Sequence, residues 1–404
     1  MTTYRPRAVV VGAGIAGLGA ALRLHQAGWD VLVAERTPSR RSGGYAVAFA
    51  GPGYDAAERM GILPELVERH ITPDRMDYVR PDGRTRFSVP GPTVRAMVGD
   101  RSLNILRGDI EDVLYQAVSG QSSDQAPDPA SGSAADPVEI RFGTSIVGVE
   151  QDADGVDVTL DDGTTERADL LVGADGLHSA TRRLVFGAED DLRLDLNHMA
   201  GVFTLDRLPD AVEPGVTASL TDTGRTLAIV SLGADRAVAF FGYRTERPMD
   251  ELADGPQVAL RRAYDDMGWV APDVLDQLGR AESVYFDTIS QVVVDRWSKG
   301  RVVLLGDAAW CVTLFAGYGS SLAVAGADAL GAALERHQDV QEALREWEAE
   351  IRPEAERKQK LGRQVKGLYA PADPFRLWLR DLPLRLASFR PVSALLQRRL
   401  QLTS

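Results

Sequence analysis

Two glycine motifs nearly three hundred residues apart set the strongest limit on how this 404-residue chain folds. The first, Gly12-Ala-Gly14-Ile-Ala16-Gly17, stands between an apolar run and an amphipathic stretch. Ala8 to Val11 reads as a short buried strand. Leu18, Leu22 and Leu24 then recur at helical spacing, and Gly28 marks a stop. Val31 to Val33 restarts a strand that Glu35 closes. The result is a βαβ unit with an acidic residue about 20 positions past the glycines, the arrangement that binds a dinucleotide. Its glycines admit a pyrophosphate close to the backbone, and the helix N-terminus supplies N–H groups and positive partial charge. The second motif, Gly306-Asp307-Ala-Ala, follows the apolar run Val302–Leu305 and precedes Phe315-Ala-Gly317-Tyr-Gly319.

Two grips so far apart in sequence suit one long cofactor, FAD rather than a nicotinamide alone. Each also has a plain structural alternative. Glycines recur in ordinary turns, Asp307 after a strand could simply cap the next helix, and Gly317 and Gly319 could form a loop. In combination they gain chemistry. A carboxylate accepts two hydroxyl hydrogen bonds without a positive partner. Gly317 and Gly319, ahead of a helix beginning near Ser320, would aim backbone N–H groups at the flavin pyrimidine edge, which becomes negative on reduction.

The organisation between the motifs alternates. Met76 to Val89 reads as a hairpin turning at Asp82-Gly83, and Arg107 to Val118 as a helix. Residues 119–137 are rich in Ser, Ala, Asp, Gln and Pro and read as a mobile surface insertion. From Met199 to Arg244 the pattern is mostly β. From Ala323 onwards it is helical, broken by Pro353, Pro371, Pro374 and Pro383. The expected fold class is α/β, with a Rossmann-like FAD-binding domain built from discontinuous segments (1–75, 100–190 and 280–345). A β-rich substrate domain (76–99 and 191–279) is inserted, and a C-terminal helical segment spans 346–404.

Composition narrows the partners. A net charge of −13 argues against nucleic acid. No window approaches 18 uninterrupted apolar residues, so no membrane span is expected. The N-terminus runs directly into the first strand, which leaves no room for a signal peptide and implies a cytoplasmic protein. Cys311 is the single cysteine, so neither an intramolecular disulfide nor a cysteine metal site is expected, and it reads as a small buried hydrophobe. The five histidines, His178 and His198 among them, offer no triad and no metal cluster. The segment Phe375–Leu400 is basic and amphipathic. It suits docking onto the acidic body or a dimer partner better than a membrane surface. Monomer and homodimer both stay open.

A third motif lies between the two, Asp175-Gly176-Leu-His-Ser179-Ala-Thr-Arg182. Together the three resemble the single-component FAD-dependent aromatic hydroxylases, of which para-hydroxybenzoate hydroxylase is the type. Gly44, the run up to Gly61-Ile62 and the Phe315–Gly319 stretch are most similar to the tetracycline-modifying monooxygenases of that family. The resemblance covers about residues 7 to 370. It implies cofactor contacts from Gly12, Gly14, Ala16, Gly17, Glu35, Arg36, Gly44, Arg107, Val147, Asp175, Gly176, Arg182, Gly306, Asp307, Gly317, Gly319 and Ser320. Arg36, Arg40 and Arg41 form a basic cluster that either favours the 2′-phosphate of NADPH or is a solvated loop. Phe203, Phe240, Tyr243, Leu314, Phe315 and Tyr369 are the candidates for substrate contact, each equally suited to a core.

The implied activity is hydroxylation of a hydrophobic aromatic or polycyclic, polyketide-like molecule by NADPH and O2 through a flavin C4a-hydroperoxide, with no catalytic side chain required. Epoxidation, Baeyer–Villiger insertion and a non-catalytic flavoprotein-fold binding protein remain alternatives. An Ala-, Arg- and Asp-rich composition suggests a GC-rich bacterial genome and secondary metabolism. The chain departs from the family pattern after Gly306-Asp307. Where the family has His and then Pro beside the flavin, this chain has Trp310 and Leu314, with Val312 also lacking proline. Leucine keeps a carbonyl there but loses the fixed φ.

Overall fold

The computed structural model describes residues 5–40, 44–120, 137–233, 236–313 and 317–388. The apolar runs become a six-stranded sheet in the order Ser298–Lys299, Val302–Leu304, Leu170–Gly173, Arg7–Val11, Asp30–Glu35, Glu139–Phe142. All its pairings are parallel except that of the short edge strand Ser298–Lys299. Strands covered on both faces must be apolar at every position, and Ala8, Val9, Val10 and Leu170 to Val172 are all fully buried. Ala8 and Val10 face the helices Ile15–Gln26 and Gly319–Arg336, while Val9 and Val11 face a three-stranded antiparallel sheet, Ile146–Gln151, Val156–Leu160 and Thr165–Ala168.

The first strand pairs with Asp30–Glu35 on one side and with Leu170–Gly173 on the other, so the winding reverses there. Ligands of such sheets bind in the crevice beyond the carboxyl ends of the strands at that reversal. Gly12, Asp175 and Gly306 each follow the end of one of these parallel strands, and Glu35 ends another. The three motifs therefore meet at one edge of one sheet.

A second, seven-stranded sheet runs Val284–Val292, Arg193–Leu205, Ala237–Arg244, Arg225–Ser231, Val216–Asp222, Arg75–Val79, Thr85–Pro90. The last two strands form the expected hairpin. Val284–Val292 joins this sheet and not the parallel one, so the chain re-enters the parallel sheet at Ser298, later than residue 280. The helices Pro256–Tyr264 and Ala271–Leu278 bury one face of this sheet.

Val340–Tyr369 is a single 30-residue helix that runs through Pro353, which corrects the expected break. Proline removes one helical hydrogen bond, but Trp347, Ile351 and Ala355, on either side of it, are buried in the core and hold both halves on one axis. Pro383 is likewise internal to the helix Pro374–Ser388. That helix docks on the seven-stranded sheet. Its fully buried Asp381 pairs with Arg86 at 2.9 Å and Arg380 at 2.7 Å, and Arg385 lies over the Phe87 ring. Most of the expected insertion, residues 121–136, and the end of the basic segment, 389–404, lie outside the described residues.

The strand-to-helix corner makes a direct prediction. A Cβ on Gly17 would stand 1.8 Å from the Gly12 carbonyl oxygen, whereas one on Gly14 would meet only Arg107 and Glu111 side-chain atoms at 3.6 Å. Gly17→Ala should therefore lower unfolding stability by about 3 kcal/mol, measured by urea denaturation. Gly14→Ala should leave it within about 1 kcal/mol of the parent, since Gly14 is the extended N-cap, where alanine is only modestly worse than glycine.

Candidate cofactor and substrate cleft

Backbone contact assembles the cleft. Gly12, at φ 102°, has no room for a side chain, because a Cβ would lie 2.6 Å from the Ala174 carbonyl oxygen. A Cβ on Gly306 would lie 2.7 Å from that of Ala16. Helix Ile15–Gln26 starts at Gly14 with no side-chain cap and no acid in its first turn, and helix Gly319–Arg336 starts the same way after Tyr318. Both N-termini thus keep their positive ends available to a negative group. Glu35 is half-buried. One of its oxygens accepts the Ala13 N–H at 2.8 Å and the other accepts from Thr37.

Asp307 is exposed to solvent, yet burial among surrounding protein pushes its carboxyl above the ordinary aspartate range, with Arg107 and Cys311 opposing the shift. Open to water but walled by protein, it lies deep in a concave site. Gly319 stands beside it, a Cβ there falling 3.8 Å from an Asp307 oxygen. Arg107 opens the helix Arg107–Ser119, donates its N–H to the Tyr45 carbonyl at 2.9 Å and pairs with Glu111 at 2.7 Å. Gly44 packs against it, a Cβ there meeting the Gly108 nitrogen at 2.9 Å. Gly12, Gly14, Ala16, Gly17, Glu35, Gly44, Arg107, Gly306, Asp307 and Gly319 are accordingly brought together, with Gly317 and Ser320 flanking Gly319.

Other expected residues fall elsewhere. Arg182 is fully buried and donates to the carbonyls of Ala308 at 3.0 Å and Leu177 at 2.5 Å, so its guanidinium ties the Asp175 motif to the Gly306-Asp307 turn and does not face the cleft. Asp175 accepts from Ser179 and from Thr181, stapling the start of helix Ala180–Val185, and Gly176 turns the chain between them. Val147 is exposed on the three-stranded sheet at a register shift. Arg36 is exposed, whereas Arg40 pairs with Asp112 and lies 4.1 Å over the Tyr115 ring; Arg41 is outside the described residues.

Period-two alternation sorts the substrate candidates. Phe203 and Tyr243 are buried in the core beneath the helices, and the Tyr243 hydroxyl donates to Glu251 at 3.0 Å. They therefore line the wrong face, a correction to the expectation. Phe240 lies on the opposite face, with its ring 6.4 Å from that of Tyr369 at the end of the long helix. Leu314 and Phe315 lie outside the described residues.

Hydrogen-bond register places Tyr285, Val202, Phe240, Ala228, Ser219, Tyr78 and Phe87 in one rung across all seven strands on this face. Tyr285, absent from the sequence reading, stands 5.9 Å from Tyr45 at the cofactor end. Burial raises the Tyr45 phenol to about 12, Arg107 opposing, and holds that of Tyr285 well above the usual range. Both stay neutral in physiological solution. Strand alternation would have singled out Tyr285, had the face turned to the cleft been known.

The family departure at Trp310 is also absorbed. Its ring is buried with Trp297 at 4.6 Å and Trp347 at 6.0 Å, against Gly326. Cys311 is buried beneath the cleft. Among the described residues no group of His, Cys, Asp or Glu could hold a metal ion, and no helix is long and apolar enough to cross a membrane.

A dinucleotide crevice joined to an aromatic-lined sheet face defines a flavoprotein oxidoreductase. Comparison makes this specific. The family model described as FAD binding domain matches residues 6–359, and the chain belongs to that family of flavin-dependent monooxygenases. An uncharacterised protein of Mycobacterium tuberculosis is 33% identical over 365 residues, covering 87% of this chain and 91% of that protein. A flavin-dependent monooxygenase from an unknown prokaryotic organism is 28% identical and covers 89% of both chains. The crystal structure of the tetracycline destructase Tet(51) superposes with a TM-score of 0.79 at 26% identity, covering 95% of this chain and 97% of its own.

His178 links the two sheets' domains: Nδ1 lies 2.7 Å from Glu189 and Nε2 3.0 Å from Asp287 of strand Val284–Val292. Its pKa is raised, chiefly by the Asp287 hydrogen bond, against the cost of burial and with help from Glu189. A raised folded value means stabilisation that is complete below about 6.5 and is lost as pH climbs through the folded value. The melting-temperature gap between the parent and His178→Gln should therefore be largest near pH 6 and close by about pH 9.

Proposed function

We propose that this monooxygenase hydroxylates a hydrophobic aromatic or polycyclic small molecule, with FAD as cofactor, NADPH as electron donor and O2 as co-substrate. The observation that carries the substrate class is the cross-strand rung. Small, partly exposed side chains, Ala228 and Ser219, make a flat floor, while Tyr285, Phe240 and Tyr369 supply aromatic edges. Flat, fused-ring molecules fill such a surface, and aromatic walls hold them by stacked or edge-on contact.

The residues present fit the cofactor. At Gly14, where only the Arg107 and Glu111 side chains stand near at 3.6 Å, a pyrophosphate could approach the backbone, and the uncapped helix that begins there would face it with N–H groups. Glu35 would take the adenosine ribose, Asp307 the ribityl hydroxyls, and Gly317, Gly319 and Ser320 the pyrimidine edge. Arg107 would lie between phosphates and flavin. When bound, FAD supplies the two-electron chemistry that couples a reduced nicotinamide to oxygen insertion. The chain's part is to orient the substrate ring and exclude water: Tyr45 and Tyr285 close the cleft as neutral phenols, able to donate a hydrogen bond but not to take a proton. No nucleophile is required.

The test is anaerobic reduction of the FAD-loaded protein, followed by loss of flavin colour with NADPH or NADH and a panel of phenolic and polycyclic ligands. Acceleration by one ligand class, faster with NADPH, is the expected result. Bound FAD that no nicotinamide bleaches would instead make the chain a binding protein. Asp307→Ala should weaken FAD binding about tenfold or more, as loss of a charged hydrogen-bonding group does. Phe240→Ala and Tyr369→Ala should abolish the ligand effect while leaving FAD content intact. Phe203→Ala should instead cost about 3–5 kcal/mol of stability, as a buried aromatic does.

A further inference from the structure

The backbone leaving Asp307 is held by a buried amide network that the reaction as described does not use. Gln291 is fully buried and Gln359 nearly so. The Gln359 Nε2 group donates to the carbonyl of Val292 at 2.7 Å, and its second N–H is shared between those of Trp310 at 3.2 Å and Cys311 at 3.3 Å. The Gln291 Nε2 group donates to the carbonyls of Gln359 at 2.8 Å and Val312 at 3.3 Å, and its Oε1 accepts from Arg363 at 2.5 Å. Residues 310, 311 and 312 thus present three consecutive carbonyls to two side-chain amides. Buried amides are costly unless bonded, and bonds to several fixed carbonyls hold one geometry.

The same helix grips both flanks of residues 314–316. A Cβ on Gly362 would lie 2.7 Å from the Val312 carbonyl oxygen and 2.9 Å from Thr313 Oγ1, so the helix touches the loop at backbone distance. Thr313 adopts φ 88°, a region that β-branched residues avoid and that tertiary contacts must enforce. On the other flank Lys358 Nζ lies 3.2 Å over the ring of Tyr318, the residue that starts helix Gly319–Arg336.

We propose that Gln359 and Gln291, braced by Arg363, are positioning residues that fix the long helix against the carbonyls of 310–312, and that this helix, whose Lys358 lies over Tyr318, thereby aims the N-terminus of helix Gly319–Arg336 at the flavin. The proposal rests on the reading of Gly317–Ser320 as the flavin-side segment. It assigns to the long helix, outside the three cofactor motifs, a share in tuning the reduced cofactor. A helix N-terminus stabilises the negative reduced form only when aimed at it.

The experiment uses the full-length, FAD-loaded protein and the variants Gln359→Met, Arg363→Met and Arg363→Lys. Four quantities are measured: melting temperature, FAD dissociation constant, flavin absorption spectrum and midpoint potential by dithionite titration. Gln359→Met and Arg363→Met should lower the midpoint potential, shift the flavin spectrum and weaken FAD binding, about tenfold for the former. Arg363→Lys, which keeps a donor, should restore the parent potential. Arg363 is exposed, so its pair of variants decides the matter should Gln359→Met fail to fold. Parent-like potential, spectrum and FAD affinity in Arg363→Met would overturn the proposal, as would a loss of melting temperature alone. Failure of the parent protein to take up FAD would overturn the cofactor reading itself, and the proposal with it.

Discussion

Backbone-to-backbone approach where three parallel strands end is the constraint on which the rest of this structure depends. Gly12 lies against the Ala174 backbone and Gly17 against that of Gly12, and Gly306 lies against the Ala16 methyl group, in each case closer than a further side chain permits. Through these contacts, segments 162 and 132 residues apart in sequence (12 to 174, and 174 to 306) share one edge. The crevice exists because side chains are missing there. Arg182 fastens the arrangement from below, with a buried guanidinium spent on the Ala308 carbonyl.

What was legible in the sequence follows from this. The βαβ unit, the Gly306-Asp307 turn and the parallel sheet depend on local pattern: an apolar run, a glycine triplet, a helix stripe. Those patterns lie within a few residues of one another and can be read directly. The resemblance carried by three ordered motifs likewise led to the right family. Phe203 and Tyr243 show where such reading stops. Alternation divides a strand into two faces but does not say which of them the helices cover, and here Pro256–Tyr264 and Ala271–Leu278 cover theirs. Arg182 was misplaced for a similar reason: a motif conveys that an arginine is needed, not whether its charge serves a ligand or a neighbouring carbonyl. Gln291 and Gln359 carry no signal at all, being polar residues 68 positions apart that meet only after folding. Pro353 ran against local propensity and lost to packing on both sides of it.

The cleft also separates two kinds of electrostatic task. Its cofactor end pairs uncapped helix N-termini with carboxylates and Arg107. Its far end holds the rings of Phe240 and Tyr369 over small side chains. A charged, long cofactor and an apolar ring system thus find opposite environments within one continuous wall, whose joint is the Tyr45–Tyr285 pair.

The two faces of the seven-stranded sheet differ in what they tie together. Phe203, Phe241 and Tyr243 interlock with Leu260 and its neighbours on the helices, whereas Phe240, Ala228 and Ser219 stand partly exposed on the opposite face, with Tyr369 beside Phe240. A lineage carrying this fold is therefore free to exchange floor residues one at a time. Each exchange redraws the shape of the accepted molecule without disturbing the helices that keep the sheet intact. Diversity of substrates among descendants of such a scaffold needs no new fold, only drift along every second position of its strands.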